Sequence, residues 1–229
     1  MELVAFDIET TGFAVDDEVT VVGFAVPLGC RVFAQAHEGS GDDTGGVEAA
    51  VEDRVAADVM LSVHASEAAV LDAVREFVER RLTDDDVLLV AYNGETWRGG
   101  FDLPFLRTRY ARHDAAWPFD DVPYADLLPV YRDLFNTSID EGEPSDLVTV
   151  YDLLVDDGTG YGAVDPFDES GEAATAFEDG RVADVVVHNV ADILRTQALG
   201  RLAQRYCSKS DFQVKSLTPT IGGGPGASG

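Results

Sequence analysis

Short apolar runs open the chain. Residues 3–8, 19–26 and 31–35 are each of strand length, separated by glycines and acidic turn residues, and predict a three-stranded meander. Residues 37–66 begin acidic and glycine-rich, which predicts an exposed insertion carrying a short helix around 47–56. The apolar period then becomes helical: Ala69, Val70, Ala73, Val74, Phe77 and Val78 recur up to Leu82, behind Ser66 at the N-cap. Residues 87–91 read as a buried strand, Asn93-Gly94 as a turn, 101–112 as a helix and 122–125 as a fifth strand. Asp126 opens a helix to about Phe135, Asp146 caps another through Leu154, and a long helix runs from near Gly180 to Tyr206. Gly, Pro and Ser crowd 216–229, which predicts an unpacked tail. Strands first, then strands alternating with helices, predict one α/β domain with a mixed five-stranded sheet flanked by helices over 1–208 and a flexible tail over 209–229. Strand order is not fixed by this pattern, and no segment repeats.

A chain of 229 residues, 45% hydrophobic, suits a single domain. Its formal charge of -27, from 43 acidic against 16 basic residues, would suit disorder, but twelve phenylalanines and strong apolar segments require a packed core. A hydrated, carboxylate-rich surface adapted to concentrated intracellular salt accounts for both. Cys30 and Cys207 match no zinc or redox spacing and read as free thiols in a reducing cytoplasm. No apolar run approaches the roughly 20 residues of a membrane helix, so no membrane partner is expected. Acidity argues against a polyanionic partner, yet nine of the 16 cations cluster in two places. They are Arg98, Arg107, Arg109 and Arg112, then Arg195, Arg201, Arg205, Lys209 and Lys215.

These clusters flank candidate chemistry. Alternation along the first strand places Asp7 and Glu9 on one face. Two buried like charges need compensation, for which a divalent cation is the direct solution. Thr10-Thr11-Gly12 follows as a tight turn. Asp102 opens a helix with Pro104 in its first turn. His188 and Asp192 stand one helical turn apart and so face the same way. Asp126 reads as an N-cap that could also border a metal. His37, His64 and His113 lack partners at ligand spacing, and the acidic loops look like hydrated surface.

Phe6-Asp7-Ile8-Glu9-Thr10-Thr11-Gly12 resembles the first motif of the DEDD family of 3′–5′ exonucleases. Asn93 followed by Phe101-Asp102-Leu103 is similar to its second motif, and His188 to Asp192 to its third. Three residues separate His188 from Asp192, the spacing of the branch that carries Tyr, so His188 stands in the Tyr position. The resemblance implies a ribonuclease H-like fold and two Mg²⁺ or Mn²⁺ ions held by Asp7, Glu9, Asp102 and Asp192, with His188 activating water. It implies hydrolysis of single-stranded DNA or RNA from a free 3′ end. Glu9 with the Thr10 and Thr11 amides would hold the terminal hydroxyl, Asn93 the penultimate nucleotide, and Arg98 and the arginines that follow Asp102 and Asp192, Arg107 and Arg195 among them, the phosphates. Phe13, Tyr92, Trp97 or Phe101 would stack on a base. Two other classes take the same residues: a nucleic-acid-binding module of this fold that has lost catalysis, and an acidic interaction domain with chance motifs.

Overall fold

The computed structural model describes residues 1–37, 44–83, 86–95, 101–140, 142–155, 161–168 and 171–221. Three opening strands, β1 (Glu2–Thr10), β2 (Val19–Val26) and β3 (Gly29–Gln35), form the expected antiparallel meander. β4 (Val59–His64) adds parallel to β3, and β5 (Val87–Ala91) lies parallel to β1. β6 (Pro123–Asp126) continues parallel to β5, and β7 (Lys215–Ser216) closes that edge antiparallel to β6. The order is β4-β3-β2-β1-β5-β6-β7, a mixed sheet of seven strands rather than the five expected.

Both extra strands are edges. Residues of β4 fall inside the expected acidic insertion and are mostly half-exposed, so their apolar signal is weak. The tail is corrected too. Around β7, Phe212 and Leu217 are buried, Trp117 Nε1 donates to the Leu217 carbonyl at 3.1 Å, and Asp121 N donates to Thr218 Oγ1 at 2.9 Å. These contacts lie about 100 residues apart in sequence, beyond the reach of a compositional reading of a Gly-, Pro- and Ser-rich end. Residues 222–229 lie outside the described residues.

Seven α-helices cover the faces among the described residues. They are α1 (Thr44–Glu52), α2 (Glu67–Arg81), α3 (Asp102–Arg112), α4 (Leu127–Leu134), α5 (Leu147–Leu154), α6 (Glu172–Glu178) and α7 (Val182–Tyr206). Ser66, Asp126 and Asp146 cap α2, α4 and α5 as expected, each accepting from a backbone amide in the first turn. No described helix is long and apolar enough to cross a membrane.

Alternation sorts the sheet into two cores. Val4, Phe6 and Ile8 join Phe24, Phe33, Leu89 and Tyr124 beneath α2 and α3. Leu3 and Ala5 point the other way, toward α7 and its neighbours α4, α5 and α6. α7 lies close on β1: a Cβ at Gly200 would meet Leu3 Cδ1 at 2.7 Å. The odd positions of β1 thus begin apolar under the C-terminal half of α7 and end as Asp7 and Glu9 under its N-terminal half.

Candidate active site

Asp7 and Glu9 have the same strand parity as Leu3 and Ala5, so the sheet turns them toward α7. Glu9 is buried, and Asp7, half-buried, lies opposite Gly23 of β2. α7 supplies the opposing wall. His188 Nε2 stands 3.9 Å from both Glu9 Oε1 and Asp192 Oδ2, facing the space between them. Asn189 Nδ2 donates to Asp7 Oδ2 at 2.9 Å. Only glycine fits at position 23, because a Cβ there would sit 1.9 Å from Asn189 Oδ1.

Asp102 arrives from the first residue of α3, at the C-terminal end of β5. The Leu103 amide donates to the Gly94 carbonyl at 2.9 Å, and a Cβ on Gly94 would come within 2.8 Å of Asp102 Oδ2. Asn93 makes the turn in the left-handed region, with φ of 64°. Asp126 fastens that turn: besides capping α4, its oxygens accept from the Asn93 amide at 2.8 Å and the Glu95 amide at 3.1 Å. Asp126 is therefore the expected N-cap and also a brace for the loop before Asp102.

The electrostatics follow from this convergence. Burial, then repulsion from Asp102, Glu9 and Asp192, holds the Asp7 carboxyl well above the usual carboxylate range, with His188 opposing. Burial and the charges of Asp192, Asp102 and Asp165 raise Glu9, and burial with Asp126 and Asp192 raises Asp102. Asp192 is raised by burial against the pull of His188 and Arg195. Burial alone would lower the His188 ring, but its bond to Asp165 and the charges of Asp192, Asp165 and Asp7 outweigh burial and raise it.

The donor set suits a hard divalent cation. Asp7, Glu9 and Asp102 are carboxylates, none of them joined to a lysine or arginine in an ion pair among the described residues. Asp192 offers Oδ2, since its Oδ1 accepts from Arg195 Nη1 at 2.6 Å. A second arrangement sits alongside: Asp165, His188 and Asp192 have ligand atoms all within 4.8 Å of one another. That trio already has its counter-charge. Arg195 Nη1 also donates to Asp165 Oδ2 at 2.6 Å, and His188 Nδ1 lies 2.7 Å from Asp165 Oδ1.

Asp165 and Asn189 are the residues sequence reasoning missed. Asp165 looked like another hydrated loop acid. Asn189 had one signal, a polar side chain next to His188 in a helix stretch that otherwise runs Val185-Val186-Val187 before the pair and Val190-Ala191 after it.

Several expected nucleic-acid contacts are corrected. Arg195 is 1% exposed and spent on Asp165 and Asp192, so it offers nothing to a phosphate. Arg109 is buried against Glu67. Arg201 and Arg205 lie up to 13 residues beyond Asp192, about 20 Å along the helix, at the end where Gln204 reaches Met1. The Thr11 amide is occupied by the Glu18 carbonyl at 2.9 Å. Tyr92 turns inward, its hydroxyl donating to the Ser145 carbonyl. His113, a surface residue as expected, meets Glu67. Arg107 is exposed over the Trp117 ring, and Phe13, 66% exposed, packs edge-on against Phe101 at 4.9 Å beside the carboxylates. Trp97 and Arg98 lie outside the described residues. Both cysteines are free.

No protein-family model matches the chain, and no curated protein matches it.

Proposed function

We propose that this protein is a divalent-metal-dependent 3′–5′ exonuclease of the ribonuclease H-like class, acting on single-stranded DNA or RNA. One observation carries the reading. Asp7, Glu9 and Asp102 converge from β1 and α3 on Asp192 of α7, all with carboxyl groups raised by burial, and among the described residues no arginine or lysine forms an ion pair with Asp7, Glu9 or Asp102. Mutual repulsion in a low-dielectric site is relieved by a divalent cation, and a phosphodiester is the anion such a site can then take.

Asp7, Glu9, Asp102 and Asp192 would hold Mg²⁺ or Mn²⁺. A bound ion supplies the positive charge that neutralises phosphate oxygens and makes water more acidic. The chain's own residues do the rest. His188 Nε2, facing the space between Glu9 and Asp192, takes the proton of the attacking water. Phe13 and Phe101 offer an aromatic surface for the terminal base, and Arg107, exposed and in no ion pair among the described residues, would meet a phosphate. The acidic surface keeps the protein hydrated in concentrated salt, where long-range repulsion of the substrate is screened.

The test is degradation of 5′-labelled single-stranded DNA and RNA with Mg²⁺ or Mn²⁺, in low and multi-molar KCl, for wild type and Asp7→Ala. A ladder shortening from the 3′ end, abolished by EDTA and by the substitution, is the expected result. Metal binding by the folded wild type without cleavage would instead assign a nucleic-acid-binding module.

A further inference from the structure

Asp165 is the one acid of this cluster without a task in the reaction described. It precedes α6, its side chain is 5% exposed, and both oxygens are spoken for. Oδ1 meets His188 Nδ1 at 2.7 Å and accepts the Phe167 amide at 3.2 Å, while Oδ2 accepts Arg195 Nη1 at 2.6 Å. The same Nη1 reaches Asp192 Oδ1 at 2.6 Å, so the guanidinium stops the Asp165 carboxylate from rotating. An ionised carboxylate only accepts hydrogen bonds. The proton therefore resides on Nδ1, and Nε2 of the neutral ring presents its lone pair. At 3.9 Å from Glu9 and Asp192, Nε2 is too far for a direct hydrogen bond and well placed for a bridging water.

We propose that Asp165 is a positioning residue that fixes the orientation and tautomer of His188, so that the basic Nε2 faces the water attacking phosphorus. This rests on the exonuclease reading. In the step it serves, the water oxygen bonds to phosphorus and a water proton passes to Nε2. The bond from phosphorus to the 3′ oxygen breaks, and that oxygen takes a proton from solvent. Arg195, expected from sequence to hold phosphate, instead anchors the positioning carboxylate.

Asp165→Asn is the discriminating variant. With its amide oxygen toward the charged Arg195 donor, and at the expense of the longer 3.2 Å bond from the Phe167 amide, its NH₂ faces His188 Nδ1 and moves the ring proton to Nε2. The expected result is a kcat lower by about 100-fold or more with KM within about threefold. The second readout needs neither metal nor turnover: long-range ¹H–¹⁵N NMR of the histidine rings in metal-free buffer, at a pH where they are neutral. It should find His188 protonated at Nδ1 in the wild type and at Nε2 in the variant. An unchanged tautomer or an unchanged kcat in a wild type that cleaves overturns the proposal. His188→Gln gives an independent arm: in that background Asp165→Asn should cost no further rate, and an added loss would show that Asp165 acts by another route. Absence of cleavage by the wild type, with the expected tautomers, overturns the exonuclease reading and the catalytic part of this proposal while leaving Asp165 as the determinant of the tautomer.

Discussion

Among the described residues, two places bury carboxylates on opposite principles. Glu67, 2% exposed at the start of α2, accepts from Arg109 Nε and Nη2 at 2.7 and 2.6 Å and from the Val19 amide at 2.8 Å, with His113 at 2.6 Å. Burial pushes its carboxyl up, but the bonds from Arg109, Val19 and His113 win and hold it below the usual range. Arg109 also donates to the Val15 carbonyl, so this ion pair ties α2 and α3 to the loop that follows the Asp7–Glu9 strand. Glu9 and Asp102 are also buried and Asp7 half-buried, but these three are held against one another, and their carboxyls rise. A charge that serves the fold is neutralised by the fold. Charges left uncompensated mark a place where something from outside is to complete them.

The largest effect is expected from Asp7→Ala, which should lower exonuclease activity by about 10³-fold or more, equivalent to about 4 kcal/mol of barrier, and remove most divalent-ion affinity by calorimetry. Retention of full activity would make the acidic cluster ordinary. Next comes Glu67→Ala, which strands Arg109 in the interior and should cost about 3–5 kcal/mol in denaturant unfolding. Gly23→Ala should cost about 1–3 kcal/mol by forcing Asn189 off Asp7, and should weaken metal binding. Unchanged metal affinity would show that Asn189 has no hold on the site.

The smallest effect is the most telling in sign. Carboxyls raised in the folded state retain protons that the unfolded chain loses near pH 4, so their contribution is intact below that pH and is lost as pH rises through the folded values. Without metal, therefore, Asp102→Asn should stabilise the protein at neutral pH, by on the order of 1 kcal/mol, and flatten the decline. With Mn²⁺ the wild type should regain stability that the variant does not. Glu67, lowered in the folded state, has the reverse signature: its contribution is present above its unfolded value and lost as pH falls. Thermal unfolding across pH, with EDTA or Mn²⁺, separates the two.

Local signals fixed much of this in advance. The meander, the caps at Ser66, Asp126 and Asp146, and the pairing of Asp7 with Glu9 on one face depend on periods of two and 3.6 residues and on N-cap chemistry, all written in adjacent residues. His188 and Asp192 share a helix face for the same reason. β4 escaped because an edge strand is half wet, and β7 because two polar residues carry no period at all. Arg195 was misread because Asp165, one of its two carboxylate partners, lies 30 residues earlier in the chain, and Arg109 because Glu67 lies 42 residues earlier. Sequence spacing shows that a charge is present, but not whether it is already spent.

The sequence by itself thus determined most of the elements and the face each acid takes, since backbone geometry and side-chain chemistry are local. Only the tertiary structure decided that β1, α3 and α7 bring those acids together, that Asn189 requires Gly23, and that Asp165 and Arg195 hold the histidine. Those facts depend on strand order and helix packing, which join residues up to 182 positions apart, and chain-distant contacts leave no periodic trace in the residues that make them.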